Sequence, residues 1–256
     1  MLVSEFMLQQ TQTSRVEGPW RAFLDAYATP KDCADATLAS VLGLWSGLGY
    51  HRRAKALHDA ARMIRDEFGG VVPSDVDELR RLPGVGEYTA HAVASFAYAR
   101  PVAVLDTNVG RILARALENR TLRPREARDC AKALLPRRES AAFNQAMLDL
   151  GAQFCRSTPR CDVCPVERVC RWRREGGPDP APRSAAVSRP QSPFHGSDRQ
   201  VRGRVLAALR TQSLTTTQLV ARLDDVARDR TEHVLATLLH DGLVARTGQL
   251  VHLSDG

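Results

Sequence analysis

Four cysteines lie within sixteen residues of this 256-residue chain, and their thiols are its densest group of potential metal ligands. A basic chain without a signal peptide is expected in a reducing compartment, where such thiols more often bind a metal than form disulfides. Five, two and five residues separate the members of the set, which are Cys155, Cys161, Cys164 and Cys170.

This spacing favours an iron-sulfur cluster over zinc. Four thiolates bind either group, but a zinc ribbon usually carries two separate Cys-x-x-Cys pairs. Only Cys161 and Cys164 form such a pair, and the outer cysteines stand well away from it. The loop is therefore expected to surround a larger group, with zinc or free thiols as alternatives. Cys33 and Cys130 lie outside the set and are expected to be small buried hydrophobic residues.

The segment LPGVGEYTA, from Leu82 to Ala90, has the composition of a phosphate-binding turn. Pro83 fixes one backbone dihedral angle, while Gly84 and Gly86 permit a tight hairpin at the start of the next helix. Backbone N–H groups of this hairpin, including that of Val85, would meet a phosphate without reading base sequence. The alternative is an ordinary turn between two helices.

The charge of the chain suggests an anionic polymer as its partner. Its 36 lysines and arginines exceed its 29 acidic residues, which gives a formal net charge of +7. A basic chain often binds nucleic acid, although the same excess can also reflect a solvated surface. No apolar stretch approaches membrane-spanning length and the start lacks a signal-peptide pattern, so we expect a cytosolic protein without a membrane partner.

Three regions follow one another along the chain. Residues 1–173 show helical periodicity and little strand signal, most clearly over 41–68 and 89–99. Residues 174–197 contain five prolines and little apolar content, which predicts a flexible linker. Residues 198–256 are predicted to form three helices and a terminal hairpin, the pattern of a small winged-helix-like domain.

Five segments carry a more specific signal: SEFMLQQTQ from Ser4 to Gln12, LWSGLGYHRRAK from Leu44 to Lys55, LPGVGEYTA, LDTNVGR from Leu105 to Arg111, and FNQAMLDLGAQFC from Phe143 to Cys155. In this order they resemble the adenine DNA glycosylase (MutY) family, which belongs to the endonuclease III superfamily of helix-hairpin-helix DNA glycosylases. The resemblance extends over residues 1 to about 172.

The resemblance implies an all-α helix-hairpin-helix fold with a 4Fe-4S cluster held by the four cysteines. It implies a base-excision-repair hydrolase that removes adenine mispaired with 8-oxoguanine or guanine in double-stranded DNA. Such an enzyme would work as a monomer in the cytoplasm, in association with the nucleoid.

The expected catalytic residues match family positions. Glu5 matches the acid that protonates adenine, which is otherwise a poor leaving group, and burial beside apolar residues would raise its pKa. Without the resemblance, Glu5 would be read as a solvated first-turn glutamate. Asp106 matches the carboxylate that stabilises positive charge on the sugar. Asp106 also precedes a predicted helix, where an N-cap is its simple structural role.

Two more residues complete the predicted catalytic set. Asn108 matches a residue that positions Asp106 or a water molecule. Tyr88 stands where lyase-competent relatives carry a lysine, and a phenol forms no Schiff base, so the enzyme is expected to be monofunctional. The structural alternative for Tyr88 is a core aromatic residue.

Contacts with DNA are also implied. Gln9 lies one helical turn beyond Glu5, where an amide would enter the duplex, and Tyr50 would insert beside the base opposite adenine. The predicted DNA-binding set is Gln9, Gln10, Thr11, Leu48, Tyr50, Gly84, Val85 and Gly86.

Three features depart from the family pattern. The first two cysteines have five residues between them instead of six, the customary N-terminal helix is missing, and the small terminal domain replaces a Nudix-like domain. Two other functions stay open: a thymine mismatch glycosylase of the same superfamily, which can share a tyrosine in the hairpin, and a catalytically inert protein that binds DNA or senses redox state, which the missing helix would permit.

Overall fold

Helices form most of this computed structural model, which describes residues 1–187 and 193–256. The predicted all-α architecture is confirmed for the region before the terminal domain, which contains helices and no strand in its described residues. Among the described helices, none is both long and apolar enough to cross a membrane. The chain forms a middle unit, comprising Met1, 74–77 and 86–187, and a terminal unit, comprising 2–73, 78–85 and 193–256.

Five helices of the terminal unit come from the first part of the chain. Their core includes the fully buried side chains of Phe6 and Trp45. Local signals set the helix starts: Thr29 and Asp32 form a capping box, and Pro30 occupies the first helical turn. The helices are α1 Leu2–Leu8, α2 Glu17–Ala26, α3 Pro30–Asp35, α4 Leu38–Leu44 and α5 Arg52–Glu67.

A loop between α4 and α5 interrupts the segment 41–68, whose sequence shows helical periodicity. Gly47, Gly49 and Tyr50 have φ angles of +82°, +68° and +49°. These angles lie in the left-handed region, which does not continue a right-handed helix. The periodic segment therefore contains parts of two helices, and Tyr50 lies in the loop between them.

The predicted hairpin lies between two helices. Gly84 has a φ of +75°, and a Cβ there would lie 2.7 Å from Ala56 Cβ and 2.8 Å from Phe6 Cε1, so only glycine fits. Gly86 is the N-cap of the following helix with φ −85°, and this conformation does not require glycine. The flanking helices are α6 Val76–Arg81 and α7 Glu87–Tyr98, and α7 confirms the helix predicted at 89–99.

The middle unit packs around one apolar cluster. Its buried members are Val109, Leu113, Leu122, Ala127 and Ala131. A helix of this unit continues as a π-helical turn, which is a rare element often found near functional sites. The helices after α7 are α8 Thr107–Ile112, its π-helical continuation Leu113–Glu118, α9 Pro124–Leu134, α10 Ser140–Gln153 and α11 Arg171–Glu175.

Part of the predicted linker is attached to the middle unit. Ala181 and Ser184 are buried. The backbone N–H of Leu122 donates to Ser184 Oγ at 3.0 Å, and Ala185 N donates to Leu122 O at 2.9 Å. This part of the predicted linker is therefore packed, whereas an extended linker would expose it. Residues 188–192 of the predicted linker lie outside the described residues.

Residues 193–256 form the carboxy-terminal module, and the predicted helices and hairpin are present in it. Its three strands form an antiparallel sheet in the order β1–β3–β2, with Leu214 opposite Val251 and Val244 opposite Leu253. The comparison with a winged helix stays a prediction. The elements are α12 Asp198–Leu209, β1 Leu214–Thr215, α13 Thr216–Arg222, α14 Arg228–His240, β2 Val244–Thr247 and β3 Leu250–Leu253.

Candidate active site

Glu5 lies on α1 and is mostly buried. Its side chain is 7% exposed, and its neighbours Phe6 and Met7 are fully buried. Gln9 N donates to Glu5 O at 3.2 Å, so Gln9 follows Glu5 by one turn, as predicted. Gln9 Nε2 also donates to Gly84 O at 3.5 Å, which links the end of α1 to the hairpin.

A buried arginine, Arg53, holds the end of α1. Its Nη1 donates to the carbonyl oxygens of Phe6 and Met7, both at 2.9 Å, and to that of Gln9. Its Nη2 donates to Thr11 Oγ1 at 2.9 Å. The last carbonyls of a helix lack intrahelical donors and attract a cation. Burial lowers the pKa of Arg53 to about 10, so the guanidinium stays charged at neutral pH.

Three of the predicted DNA contacts, Leu48, Tyr50 and Gln10, differ in exposure. The carbonyl oxygens of Leu48 and Gly49 accept from Arg53 Nη2 at 3.3 Å and 3.2 Å. The side chain of Leu48 is 3% exposed, which places this predicted DNA contact in the core. Tyr50 is partly exposed, and Gln10 is exposed with a left-handed φ of +61°.

The three hairpin positions of the predicted DNA-binding set differ in exposure. Gly84 and Gly86 are exposed, whereas Val85 is 7% exposed. The backbone N–H of Val85 donates to Leu82 O at 3.1 Å, so it is used within the hairpin. The exposed glycines are therefore the positions where a sugar-phosphate chain has room to approach the backbone.

In the middle unit, Asp106 is the N-cap of α8, which confirms its predicted structural role. Its Oδ1 accepts from Val109 N at 2.8 Å, and its Oδ2 accepts from Asn108 Nδ2 at 2.8 Å. Burial raises the pKa of the Asp106 carboxyl, while these hydrogen bonds and the charge of Arg111 oppose the rise. The carboxylate is thus held in one orientation by donors from its own helix.

A chain of hydrogen bonds connects Asp106 to the cysteine loop. Asn108 Oδ1 accepts from Arg111 Nη2 at 2.6 Å, and Arg111 Nε donates to Cys155 O at 2.6 Å. Arg111 Nη2 also donates to Gly151 O at 3.1 Å. A Cβ on Gly151 would lie 2.6 Å from Asn108 Cβ, so glycine permits this close packing of α8 on α10. The helical spacing of three residues in LDTNVGR, from Asn108 to Arg111, was the sequence signal for this pair.

Tyr88 lines a cleft of about 700 Å³ in the middle unit. Leu105, which precedes Asp106, lines the same cleft. His91 also lines it, and His91 Nδ1 bonds Ala103 O at 2.8 Å. Because a carbonyl only accepts, Nδ1 of this ring carries the proton. Tyr88, His91 and Leu105 therefore share one cleft, and Asp106 is the next residue along the chain from Leu105.

The four loop cysteines line one cavity together with apolar residues of the middle unit. Burial raises the pKa of the Cys161 thiol, and the charge of Arg173 opposes the rise. Within 1–187 and 193–256, no group of three or more His, Cys, Asp or Glu side chains is close enough to hold a single metal ion. Outside this loop, Cys33 is buried, and burial raises its pKa to about 12, as expected for an inert thiol.

Arg115 is fully buried beside the cysteine loop and was not identified from the sequence. Its Nη1 donates to Cys155 Sγ at 3.5 Å, and its Nη2 pairs with Asp179 Oδ2 at 2.6 Å. The guanidinium carbon also lies 5.5 Å from the ring centroid of Trp172. The donor set at this cavity therefore combines four thiols with a fixed positive charge, which suits an anionic metal–thiolate group.

The predicted site residues divide between the two units. The middle unit contains Tyr88, Asp106, Asn108 and the cysteine loop, and hydrogen bonds link Asp106 and Asn108 to the loop through Arg111. The terminal unit holds Glu5 and most of the predicted DNA contacts. Their meeting on bound DNA stays a prediction from the sequence.

Comparison with known proteins gives a consistent result. The family model described as "HhH-GPD superfamily base excision DNA repair protein" matches residues 3–137. A protein of Mycolicibacterium smegmatis named adenine DNA glycosylase is 47% identical over 255 residues, covering 96% of this chain and 84% of its own.

Solved structures resemble a large part of the chain. A thermostable thymine-DNA glycosylase has a TM-score of 0.64 at 26% identity. A trapped covalent intermediate of endonuclease III with DNA has a TM-score of 0.61 at 27% identity. Both matches cover 68% of this chain and 83% of the solved chain.

Proposed function

The chain belongs to the HhH-GPD superfamily of base excision DNA repair proteins, among the adenine DNA glycosylases, and we propose that it hydrolyses the N-glycosidic bond of adenine mispaired with 8-oxoguanine or guanine. DNA is its partner. The observation that carries the proposal is the 47% identity with an adenine DNA glycosylase over 96% of the chain, which includes most of the carboxy-terminal module.

Glu5 would supply the proton that adenine needs in order to leave. The flipped base enters a pocket, and protonation of its ring makes it a better leaving group. A general acid must hold its proton near the working pH, and an apolar setting favours the protonated form of a carboxyl group. The burial of Glu5, which is 7% exposed, supports this role, because removal from water also favours the protonated form.

Asp106 would stabilise the positive charge that develops on the sugar. This role requires an ionised carboxylate with a fixed orientation. The hydrogen bonds from Val109 N and Asn108 Nδ2 stabilise the ionised form, and they oppose the effect of burial on the pKa. Asn108 is then a positioning residue, and Arg111 fixes Asn108 in turn.

Tyr88 makes the reaction monofunctional in this proposal. A lysine at this place would attack the sugar and form a Schiff base, after which the strand breaks. The phenol of Tyr88 offers no amine, so hydrolysis would leave an intact strand with an abasic site. The position of Tyr88 on the wall of the cleft supports a place beside the sugar.

Two groups of residues would contact the DNA. Gly84 and Gly86 would approach the phosphates through their backbones, while Gln9, Gln10 and Tyr50 would enter the duplex near the mispair. Thr11 and Leu48 support these residues through Arg53, which binds the Thr11 hydroxyl and the Leu48 carbonyl. We therefore assign Leu48 and Val85, which are both buried, to shaping the surface.

The four loop cysteines would hold the 4Fe-4S cluster of this family. When bound, the cluster supplies a covalent cross-link that closes the loop from Cys155 to Cys170. Two observations support the fit: the cysteines share one cavity, and Arg115 donates to a thiol. Because Arg111 binds the carbonyl of Cys155, a closed loop would also steady the chain that leads to Asp106.

An excision assay tests the proposal. Duplexes with adenine opposite 8-oxoguanine, adenine opposite guanine, and thymine opposite guanine are incubated with the protein and then treated with alkali to reveal abasic sites. We expect adenine release from the first two and no strand cleavage before alkali. Cleavage before alkali would contradict the monofunctional assignment. Release of thymine alone would favour the second candidate, which the likeness to a solved thymine-DNA glycosylase supports.

A variant pair separates catalysis from binding. Glu5→Gln keeps the size of the side chain but cannot supply the proton, so adenine release is lost while duplex binding is retained. Glu17→Gln is the control, because Glu17 is exposed on α2, where it pairs with Arg21 at 2.8 Å. Equal release by Glu5→Gln and wild type would refute the role of Glu5, and no release by wild type would favour an inert DNA-binding protein. We place the protein in the cytoplasm with the nucleoid, and expect a monomer by size-exclusion chromatography.

A further inference from the structure

Tyr50 is held in a backbone conformation that a bulky residue rarely adopts. Its φ of +49° lies in the left-handed region, which persists in a folded protein only where the surroundings enforce it. Arg53 N donates to Tyr50 O at 2.8 Å. The preceding carbonyl, Gly49 O, accepts from Trp45 Nε1 at 3.1 Å and from Arg53 Nη2. The backbone of this residue is therefore fixed from within the terminal unit.

The side chain of Tyr50 is fixed by a residue of the carboxy-terminal module. Arg199 is separated from Tyr50 by 149 positions in the chain, and its Nη1 donates to Tyr50 Oη at 2.6 Å. The guanidinium carbon of Arg199 lies 5.5 Å from the ring centroid, and that of Arg53 lies 5.3 Å from it. Two cations thus face one electron-rich ring, and one of them also holds its hydroxyl group.

The module presents Arg199 through several contacts with α4, α5 and the loop between them. Arg210 Nη1 donates to Ser46 Oγ at 2.8 Å. Arg52 pairs with Asp241 at 2.9 Å, and the Asp241 side chain is only 6% exposed. The backbone joins them as well, because Leu38 N donates to the carbonyl of Asp255 at 3.0 Å. The contact of Arg199 with Tyr50 is therefore one of several contacts that join the module to α4, α5 and the loop between them.

The charge of the module argues against direct binding of the module to the phosphates of DNA. Residues 193–256 contain eight arginines, no lysine and seven acidic residues, whereas a DNA-binding module usually has a marked basic excess. Many of these arginines are neutralised in ion pairs within the module. The pairs are Arg202 with Asp241, Arg204 with Asp225, Arg228 with Glu232, and Arg230 with Asp198.

We propose that Arg199 is a positioning residue for Tyr50, and that the carboxy-terminal module contributes to recognition of the mispair by holding this aromatic ring ready for insertion into DNA. The inference rests on the proposed function, in which Tyr50 enters the duplex beside the base opposite adenine. A side chain that is ordered before binding loses less conformational freedom on binding. The module therefore strengthens binding only in complexes in which the Tyr50 ring is inserted into the duplex.

Binding of two duplexes tests the inference. Dissociation constants are measured for a duplex with adenine opposite 8-oxoguanine and for a matched undamaged duplex of the same sequence. For Arg199→Ala we expect up to about tenfold weaker binding of the mispair duplex and little change for the matched duplex, because the released Tyr50 side chain must be ordered on binding only where its ring is inserted. At saturating protein, the single-turnover rate of adenine release is expected to stay near that of wild type.

Matched variants separate positioning from charge and from folding. Arg204→Ala removes the same charge from the same helix, but Arg204 does not contact Tyr50. This variant is therefore expected to keep the wild-type preference for the mispair duplex over the matched duplex. Tyr50→Phe removes the hydroxyl group and should reproduce the loss, and adding Arg199→Ala to it should cause little further change. Arg199→Lys, which keeps a charged donor, should restore part of the preference.

Each other outcome counts against the inference. Equal weakening of both duplexes by Arg199→Ala would indicate a simple phosphate contact, and an unchanged preference would show that the contact has no role in binding. Should Arg199→Ala fail to fold, the comparison of Tyr50→Phe with wild type decides, and an unchanged preference again overturns the inference. Failure of the proposed function is distinct, because wild-type protein would then release no adenine.

Discussion

Replacement of Asn108 by alanine tests whether the hydrogen bonds at Asp106 set its protonation. Burial raises the pKa of the Asp106 carboxyl, and the amide of Asn108, which donates to Oδ2 at 2.8 Å, is one of the groups that oppose this rise. Without the amide, the ionised form loses a donor and the pKa rises further. Since the proposed reaction needs the ionised carboxylate, the loss of activity at low pH should begin at a higher pH in Asn108→Ala.

The size of the shift follows from the energy of the lost bond. A hydrogen bond to a charged group contributes about 1.5–3 kcal/mol, and about 1.4 kcal/mol corresponds to one pH unit. The acidic limb of the pH profile should therefore move upward by about 1–2 units. Well above this limb Asp106 is ionised in both proteins, so the remaining difference in rate reports the orientation of the carboxylate.

The assay is single-turnover release of adenine opposite 8-oxoguanine at saturating protein, followed across the pH range in which both proteins stay folded. Gln145→Ala is the matched control, because this exposed amide donates to another carboxylate, Asp149 Oδ1, at 3.0 Å. It is expected to leave the profile unchanged. An acidic limb at the same pH in Asn108→Ala and wild type would refute the assignment of Asn108 as the residue that holds Asp106 ionised.

Three further predictions concern stability and the cysteine loop. Gly151→Ala should lower the free energy of unfolding in urea by about 1–3 kcal/mol, because its Cβ would lie 2.6 Å from Asn108 Cβ; Gly203→Ala, with no atom within 4 Å, should instead be stabilising by about 0.5–1 kcal/mol. Burial lowers the pKa of His51 from 6.5 to about 4, so the unfolded chain binds a proton between these values and the folded chain does not. Stability should therefore fall by about 3 kcal/mol as the pH drops through this window. His51→Gln should remove that part of the loss in thermal melts, and an unchanged pH dependence of the melting temperature would contradict the role of burial. Arg115→Met should lower both the iron content per chain and the stability, the latter by about 2–4 kcal/mol, because Asp179 and the Cys155 thiol lose their shared partner; full iron content at reduced stability would limit Arg115 to a structural role.

Local features of the site were predictable because they depend on neighbouring residues. Asp106 stands directly before a helix-forming run, and an aspartate there caps the helix whether or not it has a catalytic role. The same holds for Gly84, whose positive φ follows from the turn. The four cysteines are close in sequence, so a shared cavity needed only a loop that folds back on itself.

The Tyr50 loop was harder to predict, because the helical periodicity of residues 41–68 continues across the turn between α4 and α5. The apolar pattern of 41–68 fits one helix, but Gly47 and Gly49 adopt left-handed angles that end it. Glycine pairs in a helical pattern are tolerated at a cost, so periodicity alone could not decide between a weak helix and a turn. Arg53 stabilises the turn by donating to Leu48 O and Gly49 O. The same guanidinium binds the end of α1, which is distant in sequence.

The buried arginines also change the interpretation of the net charge. Arg53, Arg111 and Arg115 are each at most 8% exposed, and each donates to backbone carbonyl oxygens. Arg53 meets the end of α1, and Arg111 meets the last turn of α10 at Gly151, which are the negative ends of those helices. These cations stabilise the protein interior and cannot displace counterions from DNA. Because the salt dependence of binding counts only cations that meet phosphates, the net charge of +7 overstates the part of this chain that acts on the polymer.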